Sequence, residues 1–206
     1  KRLIRMGENK RYIFNVGCPS IDALIQEKNI NEKIFKKKFN LNFKDRFIIV
    51  IQHPVTTEDK SSKKQILETI KALKKSKIPS IFVLPNNDTG HKSIIKEVKK
   101  NSIIWTKNLK LSEYKFLLKR AAILLGNSSS GIHEAATFKL PVINIGSRQN
   151  GRLRPINVLD VDYNCSEILK HISYCLNNKK FKNKMKTLKN PYGDGKSSKN
   201  IVKILE

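Results

Sequence analysis

Cysteine is scarce in this chain: three residues, Cys18, Cys165 and Cys175, lie far apart in 206. An odd number at such spacing carries neither a disulfide framework nor a zinc-type ligand pattern, which points to a reducing, cytoplasmic setting. No apolar run approaches the ~20 residues that a membrane-spanning helix needs, and no signal-peptide pattern opens the chain. Internal repeats and long low-complexity tracts are missing as well. No His, Cys and Asp cluster has the spacing of a metal site, and no pair of carboxylates stands out as a general acid and base. Acidic residues are few: 17 Asp and Glu against 42 Lys and Arg, a formal charge of +25.

Such a surplus attracts phosphate polymers, so a nucleic-acid-binding module has to be weighed. Two features speak against it. The surplus is mostly lysine, spread over Lys36-Lys37-Lys38, Lys74-Lys75, Lys99-Lys100 and Lys179-Lys180 on the polar faces of helical patterns. The aromatic residues fall mostly in core-like positions rather than interleaving with a basic face. A specific nucleic-acid partner is therefore not expected, nor is a membrane.

What is present is an alternation of short β-branched runs with amphipathic windows, the pattern of a mostly parallel sheet covered by helices on both faces. Strands are expected at residues 12–16, 47–51, 80–84, 103–105, 123–125, 142–145 and 157–159. Helices are expected at 21–27, 32–39, 63–75, 93–100, 112–119, 132–138, 166–176, 180–188 and 197–205. Ile66, Leu67, Ile70 and Leu73 share one stripe of the 63–75 window, with lysines opposite. The fold class is α/β, Rossmann-like, in one domain over 1–206. The chain opens on Lys1 inside a helical pattern, which reads as a piece whose upstream part is missing.

In open sheets of this kind, ligands sit beyond the carboxyl ends of the strands, where the strand order reverses. Four polar loops fall there: 52–57, 85–88, 126–131 and 146–154. The most informative is Gly126-Asn127-Ser128-Ser129-Ser130-Gly131-Ile132-His133-Glu134, between an apolar strand and a helical pattern. Small residues let a phosphate approach the backbone, hydroxyls add donors, and a helix start offers unpaired N–H groups. The same serines would also serve as a cap and turn. The spacing is neither G-x-G-x-x-G nor a Walker A loop, and the pattern of a G-x-S-x-G nucleophile elbow is not met.

Other candidates read two ways. His53, fixed by Pro54, is either a phosphate donor or a loop brace. Thr56 and Thr57 fit a cap or turn better than a ligand contact. Asn86, Asn87 and Asp88 are ordinary turn formers, yet a carboxamide there is placed to meet a nucleotide. Glu134, one turn into the expected helix, suits either the helix dipole or a pair of ribose hydroxyls. His133 beside it is expected to face away. Arg148, Arg152 and Arg154 concentrate arginine in a lysine-rich chain, and a guanidinium fork matches phosphate.

Taken in order, several motifs resemble the hydrolysing UDP-N-acetylglucosamine 2-epimerases of the sialic-acid and legionaminic-acid pathways. They are Gln52-His53-Pro54-Val55-Thr56-Thr57, Gly126 through Glu134, and Pro141-Val142-Ile143-Asn144-Ile145-Gly146-Ser147-Arg148-Gln149-Asn150-Gly151-Arg152. Arg5-Met6-Gly7-Glu8, Gly17-Cys18-Pro19-Ser20 and Tyr192-Gly193-Asp194-Gly195 extend the likeness along the chain. The resemblance implies the carboxyl-terminal, UDP-holding half of a glycosyltransferase-B-like fold, with the proton-transfer carboxylates in an amino-terminal domain upstream. It implies that His53, Asn86, Ser128, Ser129, Glu134 and Arg148 hold UDP, with the backbone of Asn108 and Leu109 beside the uracil. His53 is the one residue of this chain with a possible catalytic part.

The family reaction eliminates UDP across C1 and C2 and hydrates the glycal-like intermediate, releasing UDP and a 2-epimeric N-acetylhexosamine of the N-acetylmannosamine type. No cofactor or metal is implied. The expected partners are UDP and a UDP-N-acetylhexosamine, and the full-length protein is expected to form a homo-oligomer. A donor-binding domain of a UDP-sugar glycosyltransferase would use the same cradle, and is the competing reading.

Overall fold

The structure is a computed structural model and describes residues 1–39 and 46–206. Six strands are present among them: β1 (Ile48–Ile51), β2 (Ser80–Val83), β3 (Ile104–Thr106), β4 (Ile123–Gly126), β5 (Val142–Ile145) and β6 (Val158–Val161). The helices are α1 (Arg2–Arg5), α2 (Pro19–Gln26), α3 (Glu32–Phe39), α4 (Ser62–Ser76), α5 (His91–Lys100), α6 (Leu111–Arg120) and α7 (Ser129–His133). Then follow α8 (Cys165–Asn177), α9 (Lys179–Lys186) and α10 (Ser197–Leu205). The sheet order is β3-β2-β1-β4-β5-β6, with every neighbouring pair parallel. This is the Rossmann order, whose reversal falls between β1 and β4.

Alternation along β1 divides the core into two layers. Ile48 and Val50 pack with Ile66, Ile70 and Leu73 of α4, Ile94 and Val98 of α5, and Ile168 and Ile172 of α8. Ile49 and Ile51 face the opposite way, toward Leu24 of α2, Phe35 and Phe39 of α3, and Leu117 and Leu118 of α6. Each such side chain contributes about 1.5–3 kcal/mol on burial, against helix propensities of a few tenths per residue. Packing therefore decides where α4 lies, and its lysines are left to solvent: Lys63, Lys64, Lys71, Lys74 and Lys75 are exposed.

Helix starts are fixed by short polar side chains. The Asn164 carboxamide accepts from the amides of Ser166 and Glu167 at 2.9 and 3.1 Å, opening α8. Asn178 does the same for Phe181 at 2.8 Å, opening α9. Asp22 on α2 reaches across to α10, its carboxylate accepting from the amides of Ser197 and Ser198 at 3.1 and 2.8 Å. Those bonds hold its pKa down at about 2.

Two expectations are corrected. Residues 12–16 form no strand: Lys10–Tyr12 is a 3-10 turn capped by Asn9, followed by extended backbone. Tyr12 and Phe14 there are 74% and 56% exposed, so no neighbouring strand or core fixes the run. The helix expected at 132–138 is two pieces. The α7 turn begins three residues earlier, with the Ser128 hydroxyl accepting from the Ser130 amide, and ends at His133. A 3-10 turn, Ala135–Phe138, then leads to Lys139 in the left-handed region. Among the described residues, no helix is long and apolar enough to cross a membrane.

Candidate functional site

The switch point is built by backbone. Ile51 and Gly126 are register partners at the ends of β1 and β4. Gly126 has φ +133°, and a Cβ there would collide with the Ile51 carbonyl. Beyond it, Asn127 continues the pairing with its side chain. Its carboxamide oxygen accepts from the His53 amide at 2.7 Å, and its Nδ2 donates to the His53 carbonyl at 2.9 Å. Asn127 thus ties the loop after β1 to the serine loop after β4. It is fully buried, and the reading of 126–131 as a cradle of small residues and donors misses this fastening role.

The loop after β5 is fastened to the same residue. The Asn127 carbonyl accepts from Gln149 Nε2 at 2.7 Å and from an Arg148 guanidinium nitrogen at 3.2 Å. Ser147 donates to Glu58 at 2.7 Å, joining this loop to the 3-10 turn Thr56–Ser61. Thr56 and Thr57 start that turn, in keeping with a turn-forming part.

A cleft of about 590 Å³ opens over the switch point. Its wall contains His53, Asn86, Asn108, Leu109, Ser128, Ser129, Glu134 and Arg148, contributed by five separate loops. Ile51, Val83, Leu84, Leu111 and Tyr114 supply an apolar side to it. All eight residues singled out from the sequence therefore meet in one concavity. Tyr114 and Ser130, which join them, were not singled out individually. No pattern signals Tyr114, since it reads as one more position of the α6 face. A larger cleft of about 740 Å³ lies elsewhere, between residues 15–17, 136–137 and 188–194, and holds none of the eight.

His53 is buried, and the Asn86 amide donates to its Nδ1 at 3.5 Å. That places the ring proton on Nε2. Burial first, and the Arg148 cation second, push its pKa down to about 4. The ring is accordingly neutral at pH 7, a donor through Nε2 and not a cation. Asn108 is braced from inside, its carbonyl accepting from the Thr106 hydroxyl at 3.0 Å.

The arginines divide. Arg148 lines the cleft. Arg154 instead pairs with Asp160 at 2.6 Å and donates to the Gln149 carbonyl at 2.9 Å, holding the loop in shape. Arg152 meets His133 Nε2 at 3.1 Å, and the His133 ring stacks on Tyr192 with centroids 4.4 Å apart. Of the three arginines only Arg148 lines the cleft, and His133 does face away from it. Glu134 is also relocated: it follows the last residue of α7 and is not in its first turn. It closes α7 as its C-cap and at the same time opens the 3-10 turn Ala135–Phe138 as its N-cap.

Among the described residues, no group of three or more His, Cys, Asp and Glu side chains could hold a metal ion. The chemistry available is anion neutralisation by the Arg148 guanidinium and the Lys107 ammonium, hydrogen bonding by hydroxyls and a neutral imidazole, and one acidic acceptor for a diol.

Comparison with known proteins gives the following. The family model described as UDP-N-acetylglucosamine 2-epimerase matches residues 1–206. The chain is 38% identical over 210 residues to a UDP-N,N'-diacetylbacillosamine 2-epimerase (hydrolyzing) of Legionella pneumophila, covering 100% of this chain and 54% of that protein. It is 33% identical over 171 residues to a GDP/UDP-N,N'-diacetylbacillosamine 2-epimerase (hydrolyzing) of Campylobacter jejuni, covering 80% of this chain and 44% of that protein. Among solved structures, a UDP-GlcNAc 2-epimerase of Neisseria meningitidis bound to UDP-GlcNAc superposes with a TM-score of 0.82 at 19% identity. That match covers 98% of this chain and 57% of the other. The chain spans about half the length of the curated relatives it matches.

Proposed function

Because the chain belongs to the UDP-N-acetylglucosamine 2-epimerase family, we propose that its switch-point cleft holds the UDP part of a UDP-N-acetylhexosamine in a hydrolysing 2-epimerase. The observation that carries this reading is the convergence of His53, Asn86, Ser128, Ser129, Glu134 and Arg148, from separate loops, on one cleft. The Neisseria protein, similar in fold, is bound to UDP-GlcNAc, and two relatives above 30% identity are named as hydrolyzing enzymes.

In this reading the uracil lies by Asn108 and Leu109 against the apolar wall, and Glu134 accepts from the ribose hydroxyls. Ser128, Ser129, the His53 Nε2 proton and Arg148 surround the diphosphate. The reaction removes the proton at C2 and breaks the C1–oxygen bond, so that the electron pair leaves with UDP. Water then adds to the glycal, its hydroxyl to C1 and a proton to the opposite face of C2. Negative charge grows on the departing diphosphate, and a well-placed donor there is worth about 3–4 kcal/mol of barrier.

The proton transfers at C2 belong to a second domain preceding this one, so the 206-residue piece binds UDP weakly and does not turn over. The released 2-epimer feeds nonulosonic acid synthesis in the cytoplasm, and the full-length enzyme is a homo-oligomer. The test is proton NMR of the full-length protein with a UDP-N-acetylhexosamine and no acceptor. Free UDP and the 2-epimeric sugar are expected to form together. An intact nucleotide sugar, consumed only once an acceptor is added, would instead indicate a transferase.

A further inference from the structure

The place of Arg148 in the cleft wall is not set by its own side chain. Its hydrogen bond to the Asn127 carbonyl is 3.2 Å long, at the far end of the range for such bonds, and shares that oxygen with the 2.7 Å Gln149 bond. The backbone on either side of Arg148 is what fixes it. On one side Gln149 is 1% exposed and fastened to Asn127. On the other, Ser147 donates its hydroxyl to Glu58 at 2.7 Å, across 89 positions of sequence. The Asn150 amide donates to the Ser147 carbonyl at 2.8 Å and closes 147–150 into a turn.

Glu58 is held in its turn by a core-packed helix. Its second carboxylate oxygen accepts from Gln65 Nε2 at 2.7 Å, and Gln65 is buried on α4. Thr69, one turn further along α4, donates to Gln52 just past β1 at 2.7 Å. A carboxylate can only accept, and each oxygen of Glu58 meets one neutral donor. Neither Glu58 nor Ser147 lines the cleft. The carboxylate therefore ties α4 to the residue preceding the arginine of the cleft, without itself facing a ligand there.

We propose that Glu58 is the positioning residue for Arg148, holding the turn 147–150 through Ser147 so that the guanidinium is in place before a diphosphate arrives. This rests on the reading of the cleft as a uridine diphosphate site with Arg148 on the phosphates. The gain is preorganisation: a loop fixed in advance loses less freedom on binding. Such a role vanishes once Arg148 is removed. General support of the cleft wall would instead go on mattering to every other contact.

The test is calorimetric titration of the full-length protein with UDP in a double-mutant cycle of Glu58→Ala and Arg148→Ala. Glu58→Ala is expected to weaken UDP binding by about tenfold, as for a lost hydrogen bond to a charged group. In the Arg148→Ala background the same change should alter affinity by about twofold or less, the scatter of independent effects. Glu58→Gln keeps an acceptor for Ser147, and its amide can pair with a Gln65 carboxamide turned about. Its UDP affinity should stay within about threefold of the unaltered protein. Unchanged binding in Glu58→Ala, equal weakening in both backgrounds, or a Gln variant as weak as the Ala one overturns the positioning role while the site reading stands. No UDP binding in the unaltered protein, or binding indifferent to Arg148→Ala, removes the site reading and this inference with it. Should Glu58→Ala not fold, Ser147→Ala removes the same bond from its other end and leaves Glu58 paired with Gln65. UDP binding must then weaken severalfold where Arg148 is present, and an unchanged affinity counts against the proposal.

Discussion

His53 shows how burial and a neighbouring cation act together on one side chain. It lies in the cleft wall, where burial and the Arg148 cation both disfavour the imidazolium, and its pKa falls to about 4 from an ordinary 6.5. Below pH 6.5 the unfolded chain takes up a proton there that the folded one refuses. Stability attached to His53 is therefore full above 6.5 and is lost as pH falls toward 4. Between pH 6.5 and 4.5 this amounts to about 2 kcal/mol. Urea denaturation at those two values should show the unaltered protein losing that much more stability than His53→Gln. Equal losses in both would mean that the imidazole titrates as if exposed. Asn127 and Arg148 complete the residue scale: one carboxamide and one guanidinium fasten three loops, while Arg152 and Arg154, equally plausible in sequence, turn to scaffold partners.

At the scale of elements, packing and capping act together. The α6 lysine Lys115 is buried and donates to the carbonyls of Ile25 and Glu27 at 2.7 and 2.6 Å, closing the end of α2. Lys115→Met keeps the length of the side chain but leaves two carbonyls without that donor. A loss of about 1–3 kcal/mol is expected in chemical denaturation. A change within a few tenths would show that water replaces the ammonium freely. β1, β4 and β5 were legible because each is a mostly apolar run buried at every position, while the edge strands β3 and β6 are partly exposed and show only shorter apolar runs. The run at 12–16 has the same composition and fails as a strand, because composition carries no information about a pairing partner. The break at Glu134 was hidden for a related reason: Ile132, Ala135 and Ala136 keep a helical spacing that a short α-turn followed by a 3-10 turn also satisfies.

For the whole molecule, the strand order decides where chemistry can happen. Reversal between β1 and β4 opens one crevice, and the loops of five elements reach it. Four of these loops were recognisable in the sequence by their polar and glycine content, and the rule for parallel sheets placed them on one edge; the loop of Asn108 and Leu109 was expected only from the family resemblance. Tyr114 was not recognisable, because its place in the cleft wall depends on the approach of α6 to α7, where its hydroxyl meets Ser130, a tertiary fact with no local signature. The charge of +25 belongs largely to exposed lysines on helices such as α4, while the cleft itself holds one arginine and one lysine, Arg148 and Lys107. The claim at the centre of this account is that Arg148 in that crevice faces a diphosphate. Calorimetric titration of the intact protein with UDP, beside Arg148→Ala, tests it directly. The account predicts saturable binding that the substitution weakens by about 10–100-fold, as expected for loss of a charge-assisted pair. Binding of equal strength in both proteins, or no heat in either, would contradict it.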